Sequence, residues 1–149
     1  VVSALLGSPI LLLGTVEYCY NHAMRHTIRA IIIQDKKLLL VSGHDADYYW
    51  SPGGGIEKNE TALEALSREL SEELGVKIKS AKHYLSYTVK ETNQKVDNFL
   101  VEVIGEIKPG GEITNTTWLS KENFLNKDIN ISVGLATKLI PSLIKDRLL

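Results

Sequence analysis

The segment TALEALSRELSEELGV, residues 61–76, constrains this chain more than any other stretch. Thr61 with Glu64 three positions later is a capping-box pair, in which two side chains satisfy the free backbone N–H groups of a helix start. Gly75 supplies a left-handed stop, so the spacing predicts a helix over Ala62–Leu74. On that helix Leu63, Leu66, Leu70 and Leu74 form one narrow stripe, expected to be the buried seam. Glu69, Glu72 and Glu73 then lie together beside it at i, i+3 and i+4. Ala62 and Ala65 are expected on the acidic face, small enough to admit another segment, and the nearest in sequence is the glycine run of SPGGG. Like charges at this spacing destabilise a helix by a few tenths of a kcal/mol, and the helix C-terminus favours cations. Acidic helix ends are most often merely solvated. A hard divalent cation, Mg2+ or Mn2+, is the alternative that would relieve both problems, because carboxylate oxygens are its preferred ligands. The helix alone does not choose between them.

The remaining chain alternates strands with helices. TIRAIII (Thr27–Ile33) and LLLVS (Leu38–Ser42) read as a hairpin turning at QDKK. Two longer strands are predicted near Lys82–Lys90 and Val96–Ile107, joined at ETNQK. The loop KPGGE, a short strand TTWLS, a helical turn KENFL capped by Ser120, and a last helix over Ser132–Leu148 bent at Pro141 complete the reading. This is mixed α/β: a central sheet flanked by helices, in one domain long enough to bury a core. Residues 1–23 stand apart. Val1–Val16 carries no charge but is interrupted by Gly7, Pro9 and Gly14, and is shorter than the ~20 residues that span a bilayer. Lacking also a cationic start and a cleavage site, this segment is expected to be an extension, with the domain proper over 24–149. Self-association through that extension is left open as a homodimer alternative.

Charge and cysteine usage narrow the partners. A formal net charge of −1 gives no basic excess for a nucleic-acid duplex. Cys19, the one cysteine, forms no internal disulfide and has no partners for a thiolate metal site, which fits a reducing, cytoplasmic setting.

Read from Gly54, the chain runs Gly54, five residues, Glu60, seven residues, then Arg68-Glu69-Leu70-Ser71-Glu72-Glu73-Leu74-Gly75-Val76. This resembles the Nudix box, Gx5Ex7REUxEExGU with U aliphatic, at every fixed position, and the element order from Thr27 to Leu148 is similar to the whole Nudix domain. The resemblance implies an α/β/α fold with a mixed central β-sheet between helices. It also implies Mg2+- or Mn2+-dependent hydrolysis of a diphosphate bond in a nucleoside di- or triphosphate or a nucleoside diphosphate linked to another group. By that resemblance Glu69, Glu72 and Glu73 are metal ligands, the Gly53 carbonyl is a further ligand, Arg68 orients the glutamates, and Gly54 and Glu60 support them. A fourth acid in such domains often precedes a strand tryptophan by about six residues. Glu112, ahead of Trp118, takes that place as ligand or general base, with Glu102 and Glu106 as competitors and Glu72 or Glu73 as the fallback base. A non-catalytic nucleotide-sensing or partner-binding module is the alternative. Such modules commonly lack box carboxylates, which are complete here.

The substrate is less defined. Tyr49 and Trp50, with Tyr48, Tyr84, Tyr87 and Trp118 as further aromatics, are candidates to stack on a base. Arg29, interrupting an apolar strand, is a candidate phosphate contact. No proline lies between Gly75 and Lys108, so a marker of many ADP-ribose hydrolases in this family is missing.

Overall fold

A computed structural model of the chain describes residues 23–149. The expected extension over residues 1–23 therefore lies, except for Ala23, outside the described residues.

Among the described residues, seven strands and three α-helices follow in order: β1 (Arg25–Ile31), β2 (Ile33–Gln34), β3 (Lys37–Gly43), β4 (Gly53–Gly55), α1 (Ala62–Leu74), β5 (Lys77–Val89), β6 (Gln94–Ile104), β7 (Ile113–Ser120), α2 (Lys121–Asn126) and α3 (Ile140–Lys145). One sheet has the order β4-β1-β6-β5 and the other β2-β3-β7. The β1–β6 pair is parallel and the remaining pairs are antiparallel, so the sheet structure is mixed. One core lies under α1, and a second lies under the C-terminal helix.

The hairpin expected between Thr27–Ile33 and Leu38–Ser42 forms only at its tip. Arg25–Ile31 pairs with β4 and β6 in the first sheet, and only Ile33–Gln34 pairs with β3. The isoleucine run conceals this switch because it is buried on both sides: Ile32 enters the α1 core and Ile31 the other. Asp35 and Lys36, at φ 50° and 60°, make the tight turn whose twist matches paired strands.

Helix α1 has the predicted bounds, with the Thr61–Glu64 capping box formed and Gly75 left-handed at φ 67°. Its roll differs from expectation. Leu63 is 52% exposed, whereas Ala65, Leu66, Leu70 and Leu74 are fully buried. The helix is turned toward the Ala65–Glu69–Glu73 side, where small Ala65 allows close approach, so the glutamate face rather than Leu63 moves inward.

The C-terminal helix also departs from a simple bend. Leu135–Leu139 forms a π-helical turn that runs into α3, with Pro141 in the first turn of α3. Proline lacks the N–H that would continue an α-helical ladder, and the widened turn precedes it. Leu135, Leu139, Ile140 and Leu143 fill the second core. Tyr84, on β5, anchors this end by donating to Asp146 at 2.6 Å.

Candidate active site

The acidic face of α1 rests on the glycine strand β4. The Gly53 N–H donates to Glu73 Oε2 at 2.8 Å. A Cβ on Gly54 would stand 2.3 Å from Glu69 Oε1, so the carboxylate occupies the space that the missing side chain leaves. Gly53 itself has φ +135°, and its Cβ would meet the Ile28 carbonyl at 2.2 Å.

Arg68 organises the upper part of this face. Its Nε and Nη2 clasp the two oxygens of Glu60 at 2.8 and 3.0 Å, Nη1 donates to Glu69 Oε1 at 2.8 Å, and Nη2 also reaches the Gly55 carbonyl at 3.1 Å. The clasp from Arg68 draws Glu60 down to about 2 and raises the arginine further. Glu72 is more open, with 59% of its side chain exposed and 3.8 Å from Arg68 Nη1.

Glu73 is the perturbed acid. Burial pushes it up to about 7, reinforced by the charges of Glu69 and Glu112 and opposed by the Gly53 N–H and Arg29. A carboxylate so placed has less positive charge around it than its ionised form requires.

Glu112 reaches this neighbourhood through the loop that follows β6. Lys108 N–H donates to the Leu74 carbonyl and Gly110 N–H to the Glu73 carbonyl, each at 2.9 Å, satisfying backbone groups that a helix end leaves open. Side chains at Gly110 and Gly111 would crowd the Glu72 carbonyl at 3.0 and 3.3 Å. The Glu112 carboxylate then lies 2.9 Å from His44 Nε2, an ion pair whenever that imidazole is protonated. Its two competitors are occupied elsewhere on the surface: Glu102 pairs with Lys79 at 3.4 Å and Glu106 with Lys108 at 3.1 Å. Strand β6 ends at Ile104, so Glu106 lies in the loop rather than in the strand expected to carry it.

Arg29 joins the acidic face to a cavity of about 640 Å³. Its Nη1 donates to the Gly53 carbonyl at 2.8 Å and the Ser51 carbonyl at 3.1 Å. Burial lowers its pKa while Glu73 supports the charge. The Gly53 carbonyl therefore has one lone pair engaged by Arg29 and a second that remains for a ligand.

Trp50 and Tyr48 stand on the cavity wall with ring centroids 5.4 Å apart, and Tyr87 in β5 lines the same cavity. Tyr49 is turned the other way. Its backbone pairs with Asn130 and Ser132, and its ring packs on the second core, so alternation along the segment sends Tyr48 and Trp50 to the cavity instead. Asn98, fully buried in β6, also lines the cavity and was not singled out from the sequence. Its signal was available: Asp97-Asn98 places two polar residues inside an apolar strand.

Among the described residues no three acidic, histidine or cysteine side chains converge on a common point as a preformed metal cage. Arg68 holds Glu69, and the Gly53 N–H holds Glu73. The donors nevertheless suit a hard cation: they are all oxygens, and Glu73 is a half-buried carboxylate short of positive charge.

The sequence matches the family model described as NUDIX domain over residues 24–136. The chain belongs to the NUDIX domain family. No match is found among curated proteins. Among solved structures, the chain is similar to the E. coli ORF135 protein at 24% identity and TM-score 0.69, covering 83% of this chain and 93% of that one. It is similar to MutT studied from Aliivibrio salmonicida and Vibrio cholerae at 18% identity and TM-score 0.70, covering 82% and 98%. An ADP-ribose pyrophosphatase from Streptococcus suis aligns at 22% identity and TM-score 0.64, covering 84% and 93%. At these identities the likeness establishes the Nudix fold. No helix among the described residues is long and apolar enough to cross a membrane.

Proposed function

We propose that this chain is a pyrophosphohydrolase that uses Mg2+ or Mn2+ to cleave a diphosphate bond in a nucleoside di- or triphosphate, or in a nucleoside diphosphate linked to another group. The supporting observation is continuity: Arg29 touches the Gly53 carbonyl beside the acidic helix face and also lines the aromatic-walled cavity. A ligand anionic at one end and flat at the other suits that arrangement.

Glu69, Glu72, Glu73 and Glu112, with the Gly53 carbonyl, would hold the cation. When bound, it offsets phosphate charge and lowers the pKa of a water. The chain supplies the remainder. Arg29 presents its charge to a phosphate, Arg68 and Glu60 fix the direction of Glu69, and Gly54 leaves room for that carboxylate. Glu112, open to solvent, is the proposed base for the attacking water. Glu73, poised near neutrality, is the second candidate. Positioning and electrostatics account for most phosphoryl-transfer catalysis.

The domain assigned to this activity is 24–149, acting in the cytoplasm on small nucleotide derivatives. A panel of nucleoside triphosphates, nucleotide sugars and dinucleotides with Mg2+, read by phosphate and pyrophosphate release, tests the proposal. Glu72→Gln should lose at least about a hundredfold in kcat on the best substrate while keeping its circular-dichroism spectrum. Wild-type turnover by that variant would overturn Glu72 as a metal ligand, and no turnover of any compound by the parent would remove the hydrolase reading.

A further inference from the structure

Across the first sheet one row of residues is in register: Gly53 in β4, Arg29 in β1, Asn98 in β6 and Leu85 in β5. Neighbours in register project to the same face of a sheet, so Arg29 and Asn98 stand side by side, and both line the cavity. Arg29 is committed to the Ser51 and Gly53 carbonyls. Asn98 is committed on one side only.

Its Nδ2 donates to the Leu85 carbonyl at 3.2 Å, beside the register shift between His83 and Leu85 in β5. Burial raises the Tyr87 phenol in the neighbouring strand, and the Asn98 amide works against that rise. A carbonyl accepts only from the NH2 end of an amide, so chemistry fixes which way Asn98 faces. Oδ1 is left buried with no hydrogen-bond partner, as is the hydroxyl of Ser51 on the cavity wall. Buried polar atoms in native proteins almost always have partners, and an exception beside a cavity marks a place for a ligand atom.

From this arrangement we infer that Asn98 is a specificity-determining residue that accepts a hydrogen bond from an N–H of the substrate's nucleobase. The inference rests on the nucleotide reading above and names which end of the nucleotide enters the cavity. The unpartnered atom of Asn98 is Oδ1, an acceptor, so the ligand atom that satisfies it must be a donor. Arg29, in the same row, is the cation for the phosphate end. Between aromatic side chains the fitting donor is the N–H edge of a flat ring, with Trp50 and Tyr87 beside it. The Ser51 hydroxyl, which both donates and accepts, can serve a second polar atom of the same ring.

Binding tests this separately from turnover. The α,β-methylene diphosphates of adenosine, guanosine, cytidine and uridine have no cleavable anhydride, and their Kd with Mg2+ can be read by titration calorimetry. The tightest of the four should weaken about tenfold or more when its base N–H groups are replaced by N-methyl, because Oδ1 stays unsatisfied. In Asn98→Leu the parent and methylated ligands should bind alike, whereas Asn98→Asp, which keeps an acceptor, should retain the preference. Equal binding of both ligands by the wild type overturns the inference, and that arm needs no folded variant. It is equally overturned if Asn98→Leu still discriminates, if none of the four ligands binds, or if only removal of ribose hydroxyls weakens binding. Discrimination without hydrolysis of the cleavable nucleotides would leave the base contact standing and remove the hydrolase reading instead.

Discussion

Gly53 and Gly54 are adjacent in one strand and should fail in opposite ways when given a methyl group. A Cβ on Gly54 would lie 2.3, 2.5 and 2.9 Å from the three carboxyl atoms of Glu69, where ordinary contact begins at 3.4 Å. Roughly 1 Å of displacement relieves the clash, and the displaced group is the end of a flexible side chain rather than backbone. The fold should tolerate it with a stability change within about 1 kcal/mol. The geometry should not, since the 2.8 Å contact from Arg68 that fixes Glu69 is lost. Misplacement of a catalytic group by 1 Å costs on the order of a hundredfold in rate.

Gly53→Ala meets backbone instead. Its φ of +135° excludes most side chains, and the Ile28 carbonyl would be 2.2 Å away in the paired strand. Strain of this kind costs about 1–3 kcal/mol before the clash is counted, lowering Tm by roughly 5–10 °C in a chain of this size. Steady-state pyrophosphate release at saturating Mg2+, run beside thermal melts, separates the two outcomes. Gly54→Ala with wild-type kcat, or with a melting loss as large as that of Gly53→Ala, would refute the assignment of Gly54 as the recess for Glu69.

Further expectations concern the helix and its buried acid. Leu70→Ala should cost about 2–5 kcal/mol by urea denaturation, whereas Leu63→Ala, at a position 52% exposed, should stay within about 0.5 kcal/mol; equal costs would contradict the roll of α1. Thr61→Ala removes the capping-box acceptor of Glu64 N–H and should cost about 1 kcal/mol, seen as a Tm lower by a few degrees. In metal-free protein Glu73, at about 7 when folded against an ordinary 4.5, keeps a proton that the unfolded chain has released. Stability should therefore fall as pH rises from about 4.5 through 7, by up to about 3 kcal/mol, and Glu73→Gln should flatten that fall. A wild-type urea midpoint that is unchanged between pH 5 and pH 8 in EDTA would count against the raised Glu73.

What could be read from the sequence was local. The capping box, the stop at Gly75 and the i, i+3, i+4 spacing of Glu69, Glu72 and Glu73 are set within one helix, so a short window contains all of their causes. The strand switch at Ile31–Ile32 was hidden because an apolar run buried on both sides has no alternation to betray it. The cavity was hidden for a different reason. Its floor depends on β1 lying parallel to β6, which brings Arg29 beside Asn98 across a long interval of chain, and nothing in either strand alone announces the pairing. Tyr49 was overrated because three consecutive aromatics do not disclose which of them faces inward.

The roll of α1 links these local and distant causes. A helix that buried Leu63 would turn its acidic face outward, and the solvated reading of the glutamates would stand. Ala65 is buried instead, and the side chains of Glu60 and Glu69 are only 14% and 16% exposed. That position is tolerable because each acid has a partner in this fold: Arg68 for Glu60 and Glu69, and the Gly53 N–H for Glu73. The glycine strand provides both the recess and the donor. The loop through Lys108 and Gly110 closes the helix end where its carbonyls would otherwise be exposed to these same carboxylates. Charge is drawn inward here without being fully neutralised, since Glu73 remains near pH 7 after Arg29 and Gly53 have acted. The shortfall is positive charge, at the place where a phosphate-bearing ligand and its cation would arrive together.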